Sequence, residues 1–156
     1  MRGPRKNRWV ELIEDATSFT YDHPRVIDAL VAARQKHREV VVLCDKGRAS
    51  QSQNTAAALR RLQSHGCQVY LVSGAPFGAF YTFRENDCRK GRRGDLHAKL
   101  LCTDFQNLVV GSCNFTNASQ ANAERTVSVR LSTAGADVIE RDLAGLRREA
   151  MPFENH

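Results

Sequence analysis

The chain has 156 residues, a length that suits one domain with a sizeable core. Its 42% hydrophobic and 26% charged content is that of a globular chain, and no apolar run approaches the ~20 residues that span a bilayer. A formal net charge of +6 favours an anionic partner, while five scattered cysteines without C-x-x-C spacing point to neither a disulfide framework nor a zinc module, so a reducing intracellular compartment is expected.

Residues 1–8 hold Arg2, Arg5, Lys6 and Arg8 without the apolar segment of a secretion signal, and read as a basic tail. A single domain is expected over 9–153. Trp9 to Thr20 reads as a first strand, and Asp22-His23-Pro24 as a helix start followed by the apolar face Val26, Ile27, Leu30 and Val31. The continuous run Val40 to Cys44 is that of a buried strand. Asp45 to Gln53 reads as a polar loop, Asn54 as the cap of a helix through Ser64 with Leu59 and Leu62 inward, and Gly66 as its left-handed end. Val69 to Val72 is the next strand. This order predicts right-handed crossovers and an α/β fold, a mixed and largely parallel β-sheet flanked by helices.

The connection from Gly74 to Asp95 is long for a compact domain, and loops of that length are commonly functional. Its Phe80 and Tyr81 are followed by Arg92 and Arg93, candidates for stacking on a substrate and gathering its phosphates, or for a peripheral lipid contact. The alternative is aromatics tucked into the core beside a solvated basic turn.

Two strands follow, Leu96 to Cys102 and Leu108 to Val110, joined by a polar turn. Strand parity puts His97 and Lys99 on one face and Ser112 with Asn114 together; Cys102 and Cys113 take the opposite, apolar parity. A two-residue Phe105-Gln106 loop would set Lys99 opposite Ser112 and His97 opposite Asn114. An imidazole, an ammonium, a hydroxyl and a carboxamide converging in this way suit a tetrahedral oxyanion, which implies a phosphate ester. No carboxylate shares this parity within the strands, which argues against a hard-metal site, and no cofactor is expected; Asp104 should serve the turn. Beyond it, Ala118 to Ala123 is a short helix or turn, Thr126 to Leu131 a strand, and Ser132 or Thr133 the cap of a last helix whose Val138, Ile139, Leu143 and Leu146 face the sheet.

The spacing His97-x-Lys99-x-x-x-x-Asp104, then Gly111-Ser112-x-Asn114 and Asn122-x-Glu124, resembles the signature of the phospholipase D superfamily. The resemblance implies metal-independent, two-step phosphodiester cleavage through a phosphohistidine. In it His97 attacks phosphorus, Lys99 and Asn114 hold the non-bridging oxygens, Ser112 hydrogen-bonds nearby, Asp104 completes the motif and Glu124 orients an imidazole.

A leaving alkoxide needs an acid, and the other histidines, His23, His37, His65 and His156, read as surface residues. The resemblance supplies a symmetric homodimer in which His97 of each copy shares one site. The leading expectation is a phospholipid phosphodiesterase of the phospholipase D or cardiolipin hydrolase type. A nuclease of the same fold is the alternative, and a non-catalytic nucleic-acid or lipid-binding scaffold the third.

Overall fold

The computed structural model describes residues 8–14, 22–73, 99–116, 121 and 123–154. The strands form one sheet in the order β6-β5-β4-β1-β2-β3-β7. Its parallel part is β1 (Arg8–Glu14), β2 (Glu39–Asp45) and β3 (Gln68–Val72). Helices α1 (Pro24–Gln35) and α3 (Gln53–Ser64) provide the crossovers between them. β4 (Leu100–Thr103), β5 (Asn107–Gly111) and β6 (Thr126–Arg130) extend one side antiparallel. On the other side, β7 (Met151–Pro152) joins β3 antiparallel. The mixed α/β sheet is as expected, but it is not largely parallel: two of its six strand pairings, β1–β2 and β2–β3, are parallel, because only there does a helical crossover return the chain to the same edge, and the other four are antiparallel.

Local chemistry explains most element ends. Pro24 opens α1 at its first turn, where a missing N–H costs nothing. The segment 45–53, expected as a loop, holds a short helix, α2 (Lys46–Gln51), capped when Asp45 Oδ1 accepts from Arg48 N at 3.0 Å. The cap of α3 is Ser52 rather than Asn54, its Oγ accepting from Thr55 N at 3.2 Å. Gly66 ends that helix at φ 85°, as its residue type predicts. Ser132 caps α4 (Thr133–Glu149) through Gly135 N at 3.2 Å. The first strand is described only as far as Glu14, and most of 118–123 lies outside the described residues.

Two apolar layers sandwich the sheet. One packs Ile27, Leu30 and Val31 of α1 and Leu59 and Leu62 of α3 on Val40, Val42, Cys44 and Val69. The other packs Ala136 and Leu143 of α4 on Val41, Leu43, Val72, Leu100, Cys102 and Phe105. Val138 is a correction: it is 54% exposed, because the inward stripe of α4 runs through Ala136, Ile139, Leu143 and Leu146, and position 138 lies about 100° off it.

Candidate active site

The hairpin β4–β5 differs in register from the sequence expectation by one residue. Leu100 faces Val110 and Thr103 faces Asn107, so Lys99 falls beside Gly111, whose N–H donates to Lys99 O at 3.3 Å, and not opposite Ser112. The reason is the turn. Asp104 and Phe105 take φ 55° and 52°, Gln106 N–H closes the turn on Thr103 O at 2.9 Å, and Gln106 is left as an extra residue before pairing starts. Phe105 anchors this arrangement by burying its ring in the α4 layer.

Such a slip would turn Ser112 and Asn114 away from Lys99 if β5 ran on straight. It ends at Gly111 instead, and the chain bends at Ser112. A side chain on Gly111 would collide with Arg125 O and would lie 2.8 Å from Thr126 Cα. This close approach lets Ser112 N–H reach Arg125 O at 3.0 Å. The Ser112 hydroxyl donates to Glu124 Oε2 at 2.5 Å and accepts from Arg125 N at 3.2 Å. Ser112 and Glu124 are thus brought together as a fixed pair.

Lys99 is 5% exposed, and its burial restricts where the ammonium can sit. Antiparallel pairing of Ile13 with Leu100 puts this end of β4 at the edge where the parallel strands finish. Asn114 is half-buried, and its Oδ1 is buried with no hydrogen-bond partner among the described residues. Leaving such an acceptor unmet costs about 1–3 kcal/mol, and the atom of this carboxamide able to hold a phosphate oxygen is the donor Nδ2.

Asp104 is elsewhere. Along β4 at ~3.3 Å per residue it lies roughly 16 Å from Lys99, at the hairpin tip. Burial raises its carboxyl pKa above the ordinary value, with the opposing pull of Arg38 too weak to cancel it. It sits within the turn, at φ 55°. Cys102 is buried among the apolar residues of the α4 layer, as parity predicted. His97, Phe80, Tyr81, Arg92 and Arg93 lie outside the described residues. Among the described residues no group of three or more His, Cys, Asp or Glu side chains is placed to hold a metal ion, and no helix is long and apolar enough to cross a membrane.

Two contributors were not assigned from sequence. A glycine at a strand end is itself a sign of close backbone approach, so the steric role of Gly111 was open to inference. The backbone of Arg125 left no such sign, since any residue type supplies the same N–H and C=O.

The fold and this hairpin edge define a phospholipase D-like domain. Residues 14–144 match the family profile described as "Cardiolipin synthase, PLD-like domain", and the chain belongs to that family. Nuc from Salmonella typhimurium, a phospholipase D family member, superposes with a TM-score of 0.74 at 17% identity, covering 97% of this chain and 85% of that one. NucT from Helicobacter pylori gives 0.72 at 16% identity, covering 92% and 81%. At these identities the likeness is one of fold. No curated protein sequence matches significantly.

Proposed function

We propose that the protein is a phosphodiester hydrolase that works through a phosphohistidine and needs no metal. The observation that carries this reading is the placement, at one end of the hairpin, of buried Lys99 beside Gly111, of the Ser112–Glu124 pair that follows Gly111, and of half-buried Asn114 two residues beyond Ser112. His97, two residues before Lys99, attacks phosphorus while Lys99 and the Asn114 amide hold the non-bridging oxygens. The bond to the leaving oxygen breaks, and that oxygen takes a proton from a second histidine. Water then attacks the phosphohistidine, giving its proton back to the same residue and releasing a phosphomonoester. Glu124, fixed by Ser112, is the carboxylate that orients an imidazole.

The second histidine is His97 of another copy in a symmetric homodimer. The outer strands offer an apolar surface for a partner on the sheet face that carries α4: Val110 is 40% exposed, Val127 58% and Val129 42%, with Val110 directly across from Val127. For substrate, the cardiolipin synthase description of the family favours a phospholipid. The +6 charge suits a nucleic acid equally, which is the second reading. Parallel assays on cardiolipin vesicles, single-stranded DNA and RNA in excess EDTA test both. Turnover of one of them, abolished by His97→Asn, is expected; complete loss in EDTA that a divalent metal restores would overturn the mechanism.

A further inference from the structure

We infer that His23, which belongs to no part of the signature, is a substrate-contacting residue of this site, a donor to the bound phosphodiester on its Asn114 side. The inference rests on the phosphodiesterase reading above. It starts from topology. The parallel strands all finish at the edge where Lys99 lies, and α1 starts from that same edge. His37 and His65 follow the C-termini of α1 and α3, just before β2 and β3 begin, and so lie at the opposite edge. Of the described histidines, His23 is the one at the site's edge.

A hydrogen bond fixes it there. His23 N–H donates to Phe115 O at 3.2 Å, one residue beyond Asn114. Phe115 packs on the α1–α3 layer and Thr116 is 1% exposed, so the segment that carries Asn114 is pinned to the start of α1. Backbones bonded in this way hold their Cα atoms ~5 Å apart, so His23 and Asn114 have Cα atoms within roughly 9 Å. A phosphate fits between an imidazole and a carboxamide at that separation. Contrary to the sequence expectation of a surface histidine, the residue is half-buried.

Helix capping does not account for histidine at this position. Asp45, Ser52 and Ser132 cap α2, α3 and α4 with side-chain hydrogen bonds. His23 occupies the same position of α1, and its side chain makes no cap bond. A weak capping residue beside a reactive site is the kind of local inconsistency that function accounts for.

The test uses this contrast. Serine is a better N-cap than histidine, so His23→Ser should fold with an unchanged or raised Tm. If His23 contacts substrate, kcat/KM for an activated aryl phosphodiester in EDTA should nevertheless fall about tenfold or more, the loss typical of a hydrogen bond to a charged group. His23→Gln, which keeps an N–H donor, should recover part of that loss. A kcat/KM for His23→Ser within twofold of wild type would overturn the inference and leave the hydrolase reading intact. Failure of that reading has a different mark, a wild-type protein that does not turn over the diester in EDTA.

Discussion

Gly111 carries no functional group, yet the candidate site depends on it. Its missing Cβ lets β5 and the start of β6 approach closely enough for Ser112 to bond both Glu124 and the Arg125 backbone. Gly111→Ala must push these segments apart, at about 1–3 kcal/mol by analogy with overpacked cores. Thermal melting should show that loss, and kcat/KM should fall more than tenfold because Asn114 moves as well. Asp104 makes the opposite case. Burial raises its pKa, so folding favours the protonated form: the contribution is present below the unfolded-state pKa and is lost as pH rises through the folded one. At neutral pH the ionised carboxylate is a burden on the fold. Asp104→Asn, whose side chain tolerates the left-handed conformation equally well, should keep activity and leave Tm at pH 7 unchanged or higher, with a flatter dependence of Tm between pH 4 and 7. A large loss of activity in this variant would put Asp104 in the chemistry after all.

The elements show what their residues could and could not announce. Apolar runs and helical stripes marked β2, β3, α1, α3 and α4, because burial on a sheet imposes those periods directly. The hairpin register was not legible: it turned on whether Asp104 belongs to the turn as well as Phe105 and Gln106, a choice made with Phe105 burying its ring in a layer that includes Val41, Leu43, Ala136 and Leu143, all more than thirty positions away along the chain. α2 was missed for a related reason, since six polar and small residues carry no apolar period and form a helix only once Asp45 is fixed as its cap. The cap of α3 falls on Ser52 because α2 ends there, making one residue the boundary of both helices. Ser52→Ala should therefore cost about 1 kcal/mol in chemical denaturation, with kcat/KM unchanged. A loss of activity without loss of stability would mean that the α2–α3 corner takes part in the reaction.

For the whole molecule, the family was legible in the sequence because the signature residues are close together in the chain and their spacing survives whatever register the hairpin takes. It could not show that Ser112 is held by Glu124 and the Arg125 backbone, or that the start of α1 meets the Asn114 segment, since both contacts join distant parts of the chain. The proposed shared site makes a quantitative prediction. When wild type is mixed in equal amount with His97→Asn and subunits exchange fully, random pairing leaves about a quarter of dimers with both histidines, so activity should fall to about a quarter, whereas independent sites would keep about half. The central claim, that His97 carries the phosphoryl group, has a more direct test. Wild-type protein mixed in EDTA with an activated aryl phosphodiester and quenched in alkaline denaturant should hold a phosphoryl group on His97, stable to base and labile to acid, and His97→Asn should hold none. An active protein that accumulates no such species, and whose activity vanishes in EDTA and returns with a divalent metal, would contradict it.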